Sequence, residues 1–326
     1  MTRTNAGNAM KRLTVFVAAL LLVAGGAQAQ APVTKLVAPY AAGGTADFLA
    51  RTFAEKLRPL LGGAVIVENR PGANGSLGAQ YVAKSAPDGT TLLLPGPSVI
   101  VINPHIYKNL AYDPLNDLLP VVRVTVSASA LFVAASNPAN NAKEFVAWAQ
   151  AQNRPLRFGS AGVGGVTHIW IELFRDATKV PTTHIPYKGV SPATVDLIGG
   201  QIDAQFSDVA PLMPMVKAGK VKMIGIVGPQ RNPTVPAVPT FAEQGFPGID
   251  GVSWYGLFAP AKTPAAAVNR IAEAASTALN DPKFVSQLAE VGMAATFLGP
   301  ADFAKLVRDD TEWWGKVVAA HRIVGE

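Results

Sequence analysis

Four short segments place glycine and small polar residues directly ahead of a helical pattern. They are Pro39-Tyr40-Ala41-Ala42-Gly43-Gly44-Thr45, Gly72-Ala73-Asn74-Gly75-Ser76-Leu77-Gly78, Gly159-Ser160-Ala161-Gly162-Val163-Gly164-Gly165 and Tyr187-Lys188-Gly189-Val190-Ser191-Pro192. The chemistry that suits them is anion binding. The first amides of a helix have no partner within it, and the aligned peptide dipoles put partial positive charge there. Glycine lets a ligand approach the backbone closely. A junction of this kind holds a carboxylate or phosphate without an arginine. In the fourth segment Ser191 is the expected N-cap, with Pro192 in the first turn. Any single loop also reads as an ordinary turn and cap. Four in one chain favour binding, with two loops from each of two lobes gripping the ends of a small dianion.

Other chemistries lack their spacing. A nucleophile elbow needs glycine two residues before serine, but Asn74 precedes Gly75-Ser76 and Phe158 precedes Gly159-Ser160. No base stands at a recognisable distance from Ser76 or Ser160, so an exported hydrolase is a remote alternative. No glycine loop ends in Gly-Lys-Ser/Thr, and no G-x-G-x-x-G follows a strand. The histidines His105, His168, His184 and His321 form no H-x-x-x-H or H-E-x-x-H pair, and there is no cysteine. Asp47, Asp203 and Asp208 have no paired acid and read as caps, loop residues or ligand contacts. His168, early in its helix, reads as a structural histidine. No catalytic residue, metal or cofactor is expected.

The elements that must position these loops alternate. Thr34 to Ala38, Ala64 to Val67 and Thr91 to Leu94 read as strands around helices at Thr45 to Leu57 and Ser76 to Lys84. The rhythm returns with strands at Leu156 to Phe158, Thr183 to Ile185, Ala204 to Phe206 and Val221 to Val227. The intervening helices run over Val166 to Asp176, Pro192 to Ile198 and Leu212 to Lys217. This order predicts an α/β protein with mostly parallel sheets flanked by helices. The alternation breaks at Pro114 to Pro120, ahead of the extended stretch Val121 to Ala135. It breaks again at Pro229 to Pro247, ahead of Trp254 to Phe258. Both breaks are candidate crossings between lobes. Helices at Ala265 to Leu279, Pro282 to Ala289 and Ala301 to Val318 close the chain, with Trp313 and Trp314 read as packing residues.

Residues 1–29 have the layout of a secretory leader. Lys11 and Arg12 precede the apolar run Leu13 to Ala24, and Ala27-Gln28-Ala29 supplies small residues for cleavage. The run is shorter than the roughly 20 residues that span a bilayer. Without the leader's three basic residues, 25 basic face 22 acidic side chains. No basic run interleaved with aromatics points to nucleic acid. A periplasmic monomer beginning at Gln30 is expected.

At the glycine loops the chain resembles the Bug family of extracytoplasmic solute receptors, the binding components of tripartite tricarboxylate transporters. The resemblance spans the chain after the leader. It rests on Tyr40-Ala41-Ala42-Gly43-Gly44-Thr45-Ala46-Asp47, Glu68-Asn69-Arg70-Pro71-Gly72-Ala73-Asn74-Gly75, Ala86-Pro87-Asp88-Gly89-Thr90-Thr91-Leu92, Ile185-Pro186-Tyr187-Lys188-Gly189, Gly199-Gly200-Gln201-Ile202-Asp203, Val238-Pro239-Thr240-Phe241-Ala242-Glu243-Gln244-Gly245 and Trp254-Tyr255-Gly256-Leu257-Phe258-Ala259-Pro260. It implies a two-lobed periplasmic binding protein of type II, a Venus flytrap, with 30–123 and 253–326 in one lobe and 124–252 in the other. It also implies a carboxylate ligand and inner-membrane transporter subunits as partners; a role as a sensor for a membrane signalling protein is the alternative. Carried over by position, the contacts are Tyr40, Gly43, Gly44, Asp47, Asn74, Ser76 and Ser98 from one lobe. The other supplies Ser160, Gly164, Gly165, Thr167, His168, Tyr187 and Asp208.

Three positions depart from the family pattern. Ala41 and Ala42 stand where proline is usual, and Gly165 where serine or threonine is frequent. Ser207 follows Phe206 where many members have aspartate, which here comes one residue later as Asp208. The resemblance leaves dicarboxylates, tricarboxylates, aromatic carboxylates and amino acids all open as ligands.

Overall fold

A computed structural model describes residues 33–324, so the expected leader and its cleavage site lie outside the described residues. The first strands and helices follow the sequence pattern. They are β1 (Thr34–Ala38), α1 (Thr45–Leu61), β2 (Val65–Asn69), α2 (Ser76–Ala83) and β3 (Thr91–Leu93). β1 lies between β2 and β3 and pairs parallel with both. Helices cover it on both faces, which is why Leu36, Val37 and Ala38 form an unbroken apolar run with no accessible surface. α1 buries Ala46, Leu49, Ala50, Phe53, Ala54, Leu57 and Leu61 as one stripe. It runs past its expected end at Leu57, with Pro59 in the last turn, and stops at Gly62 in the left-handed region, φ 72°.

The next segment contains an element with no sequence signal. Ser98–Ile102 forms a π-helical turn that continues into α3 (Asn103–Ile106). Its β-branched run Val99-Ile100-Val101-Ile102 has no accessible surface, so burial decides its conformation over propensity. The stretch expected as one extended run is two strands, β4 (Leu118–Ser127) and β5 (Ser129–Ala134), with Ala128 alone between them. β4 pairs with β10 (Ser253–Pro260) as far as Ser127–Ser253, whereas β5 begins a second sheet.

That second sheet is built from α4 (Ala142–Gln150), β6 (Leu156–Ser160), α5 (Val166–Thr178), β7 (Thr182–Pro186), α6 (Val190–Ile198), β8 (Ala204–Asp208), α7 (Val209–Lys217) and β9 (Val221–Val227). The chain then returns through β10, α8 (Ala265–Leu279), α9 (Pro282–Ala289), β11 (Met293–Leu298) and α10 (Pro300–Ala320). The strand orders are β11-β4-β10-β3-β1-β2 and β7-β6-β8-β5-β9. Each sheet is parallel where strand and helix alternate, and antiparallel at the strands next to the crossings.

Aromatic packing fixes each half. Phe158 and Phe174 lie 5.3 Å apart between ring centroids, with Phe145, Phe206 and Phe241 around them. In the other half Phe303 meets Phe258 at 5.1 Å and Trp254 at 5.3 Å. Trp314 is buried and Trp313 is 43% exposed, so only Trp314 serves the core. Among the described residues no helix is long and apolar enough to cross a membrane.

Candidate ligand site

All four glycine loops leave the carboxyl ends of parallel strands: β1 to α1, β2 to α2, β6 to α5 and β7 to α6. In open α/β sheets that edge is where ligands collect. The two lobes are closed upon each other there. Ser191 Oγ donates to the Ala42 carbonyl at 3.2 Å, and Tyr107 Oη to the Val163 carbonyl at 2.8 Å. The Val166 amide donates to Ser98 Oγ at 3.0 Å. Ser191 is therefore not the cap of α6. Gly189 takes that place at φ 138°, a conformation closed to side-chain-bearing residues, and frees Ser191 to bridge the lobes.

The closed cleft holds two cavities that share Tyr40 and Ala161 in their walls. The inner one is walled by the first residues of three helices: Gly44 to Ala46 of α1, Val166 and Thr167 of α5, and Gly189 and Val190 of α6. Ser98, Tyr40, Tyr255, Ser253 and Asp208 complete the wall, and neither lysine nor arginine nor histidine lines it. Thr45 is buried, with its hydroxyl beside the Asp208 carboxyl and the Tyr255 hydroxyl. Burial pushes the Tyr40 and Tyr255 hydroxyls well above their ordinary range, so both remain neutral donors. The outer cavity is bordered by Asn74, Tyr107, Tyr187 and Lys188.

The expected contacts divide into two groups. Tyr40, Gly44, Ser98, Thr167 and Asp208 border the inner cavity, while Tyr40, Asn74 and Tyr187 border the outer one. Gly43, Asp47, Ser76, Ser160, Gly164, Gly165 and His168 border neither and instead hold the loops in shape. Gly43, at φ 80°, donates its amide to Asp47 Oδ2 at 2.9 Å, and Asp47 pairs with Arg51 at 2.9 Å. Ser76 Oγ accepts from Asn103 Nδ2 at 3.0 Å. The third loop rests on two stacked imidazoles, His168 and His184, 3.7 Å apart. Ser160 Oγ and His184 Nε2 share a 2.5 Å hydrogen bond, and the Gly164 amide donates to His168 Nδ1 at 3.0 Å. Burial lowers His168 to about 4 and His184 to about 3, so both are neutral at pH 7 and can accept these bonds.

Glycine is sterically required where the lobes touch. A Cβ on Gly164 would lie 2.7 Å from Ile106, and one on Gly165 would lie 2.8 Å from Asn74 Oδ1 in the opposite lobe. Asn74 cannot easily move away, because its Nδ2 donates to Asn103 Oδ1 at 2.7 Å. The glycine at position 165 thus makes room for Asn74 across the cleft.

Sequence reasoning singled out neither Thr45 nor Tyr255, although both lie inside motifs that carry the resemblance. Tyr255 Oη donates to Asp208 Oδ2 at 2.6 Å, joining β10 to the end of β8, and Ser129 Oγ donates to Asp208 Oδ1 at 2.7 Å. Burial holds the Asp208 carboxyl above its ordinary value despite these donors. Among the described residues no group of three His, Cys, Asp or Glu side chains could hold a metal ion.

A closed cleft lined by helix N-termini belongs to solute capture, and residues 49–323 match the family described as the tripartite tricarboxylate transporter family receptor. The chain belongs to this receptor family. Its members are periplasmic solute-binding proteins, and this protein is one of them. It is 32% identical over 293 residues to a UPF0065 protein of the tcbD-tcbE intergenic region of Pseudomonas sp. strain P51, covering 90% of this chain and 87% of the relative. It is 30% identical to Protein BugT of Bordetella pertussis, covering 87% of both chains. A solved structure of a periplasmic transporter superposes with a TM-score of 0.87 at 36% identity, covering 92% of this receptor and 99% of that chain. Rpa4515 of R. palustris with adipate gives 0.86 at 30% identity, covering 89% and 97%. MatC of Rhodopseudomonas palustris with bound malate gives 0.82 at 32%, covering 88% and 98%.

Proposed function

We propose that this receptor captures a small organic carboxylate in the inner cavity and delivers it to inner-membrane transporter subunits. The observation that carries the reading is the inner wall. Three helix N-termini converge on a closed space with no basic side chain. Backbone amides and hydroxyls are then the donors for the anion. The relatives with bound adipate and malate agree with this choice of ligand class. The lobes open and close about the two crossings, at Ala128 and between β9 and β10. The working form is a monomer, cleaved after Ala29.

A thermal-shift screen tests the reading. Carboxylates should raise the melting temperature, and size-matched neutral amides and amines should not. A ligand at about 100 times its dissociation constant adds about 2.7 kcal/mol of stability. Stabilisation by cations or neutral sugars alone would overturn the carboxylate reading.

A further inference from the structure

Asp208 ends β8, and the hydroxyls gathered about it come from both sheets. Ser129 Oγ donates to its Oδ1 at 2.7 Å from β5, the neighbouring strand of the same sheet. Tyr255 Oη donates to its Oδ2 at 2.6 Å from β10 of the other sheet. The hydroxyls of Ser253, also on β10, and of Thr45, the first residue of α1, stand beside the same carboxyl. Three of the four therefore reach Asp208 across the boundary between the sheets. Asp208 is 5% exposed and has no cation beside it, a costly placement for a carboxylate. Helix capping does not account for it, because α7 takes no side-chain hydrogen bond from its N-cap Asp208. The position does: β5 begins directly after the crossing at Ala128, and β10 begins at Ser253, where the chain has just crossed back. Rotation of one sheet against the other moves Tyr255, Ser253 and Thr45 relative to Asp208 and leaves Ser129 in place. Hydrogen bonds weaken steeply once their geometry is lost, so the contacts across the boundary belong to the closed form.

Resting on the capture reading above, we propose that Asp208 is a positioning residue, a clasp that joins the lobes beside their crossings and seats the first turn of α1 for the ligand. Opening takes the Tyr255, Ser253 and Thr45 hydroxyls away from the acid, and closing returns them. The same closure brings Gly44 to Ala46 into the cavity wall, so a ligand held there and the clasp favour one form together. Asp208 thereby governs how long the ligand stays.

The chain has no cysteine, so Leu77→Cys and Val195→Cys, at exposed positions of α2 and α6, take a donor and an acceptor dye that report closure. The probe is whichever of succinate, malate and adipate raises the melting temperature most. In this labelled protein Tyr255→Phe removes one hydroxyl and keeps the ring. Stopped-flow mixing should show release at least about fivefold faster than without the substitution, the scale of one hydrogen bond to a charged group. Association should stay within about twofold, because the probe meets the open form. Ser129→Ala, whose contact lies within one sheet, should leave release within about twofold. Asp208→Ala should also speed release, and adding Tyr255→Phe to it should change little more, because both break one clasp. Unchanged release in Tyr255→Phe would overturn the inference. So would an equal effect of Ser129→Ala, or single effects that multiply in the double variant. Tyr255→Phe and Ser129→Ala stand without Asp208→Ala, should that variant fold poorly. If none of the three acids moves the dyes in the protein without these substitutions, the capture reading fails for them and the ligand-free dye distance decides the clasp. A longer distance in Tyr255→Phe supports it, and an equal one overturns it.

Discussion

The strand β8 separates two aspartates that the protein treats in opposite ways. Just ahead of its first residue stands Asp203, whose carboxylate receives Arg154 at 2.7 Å and Arg157 at 3.3 Å, together with the Arg157 amide at 2.7 Å. Burial alone would raise its pKa, but these donors bring it down to about 2. At the other end stands Asp208, with the neutral hydroxyls of Tyr255, Ser129, Thr45 and Ser253 about it and no cation, held above its ordinary value. Asp203 faces away from the cleft and ties β6 to β8. Asp208 faces the cavity. Asp203 has its counter-charge built in, whereas Asp208 is served by neutral hydroxyls alone and borders the cavity. Residue type and neighbouring sequence do not distinguish the two; the residues that reach them do.

Several variants would break or sharpen this contrast. The largest effect on binding is expected at the first turn of α1. Gly44 has φ −88° and a Cβ there meets only Ala41 O at 3.6 Å, so the backbone tolerates a side chain. Gly44→Val should block the first amides of α1 and weaken the best carboxylate by a hundredfold or more, about 2.7 kcal/mol, in calorimetry. Its ligand-free melting temperature should stay close to wild type, and unchanged affinity would remove this loop from the site.

Asp203→Ala should do the reverse, lowering stability by about 2 kcal/mol in denaturant unfolding and leaving affinity within twofold. The pH dependence has a definite sign. Asp203 has a depressed folded-state pKa, so its contribution is full above about pH 4 and is lost as pH falls towards about 2. The gap between variant and wild type should close over that range. A loss of ligand affinity in a stable Asp203→Ala protein would dissolve the contrast.

Gly165→Ser probes closure. Its Cβ would press on Asn74 Oδ1, a pair that Asn103 keeps from yielding. Overpacking of this kind costs about 1–3 kcal/mol. All carboxylates should therefore weaken by a similar factor, about tenfold, whatever their size. A loss confined to bulky ligands would mean that position 165 borders the ligand instead of the opposite lobe.

The smallest effect is expected in the ligand-free stability of Asp208→Asn. A raised folded-state pKa stabilises below the unfolded value near 3.8 and costs stability as pH rises through the folded value. Relative to wild type, the variant should gain melting temperature between pH 4 and pH 7. A loss over that range would show that Asp208 is well served as an anion by the protein itself.

Much of this architecture is legible in the sequence because it is local. The strand–glycine–helix junctions are written in adjacent residues, and all four lie at the carboxyl ends of parallel strands. α4 was also within reach, since Asn141 and Glu144 form a reciprocal capping pair three residues apart. The π turn after Ser98 was not, because Val99 to Ile102 reads as strand by type and becomes helical only through burial. The start of α6 was misread for a local reason: Ser191 and Pro192 imitate a cap, while Gly189 supplies the backbone that only glycine offers. The division of the site residues is long-range throughout. Asp208 meets partners 47 and 79 residues away, and His168 stacks on a histidine from β7. Sequence proximity gave the loops that surround the cavity but could not say which of their side chains turn towards it.

The central claim is that the anion is held by helix N-termini in the inner cavity and not by a basic side chain. A crystal structure with the most stabilising carboxylate of the thermal-shift screen tests it most directly. Carboxylate oxygens should lie within about 3 Å of the first backbone amides of α1 or α5, with no lysine or arginine in contact. A carboxylate paired with Lys188 in the outer cavity, or with any arginine, would contradict it.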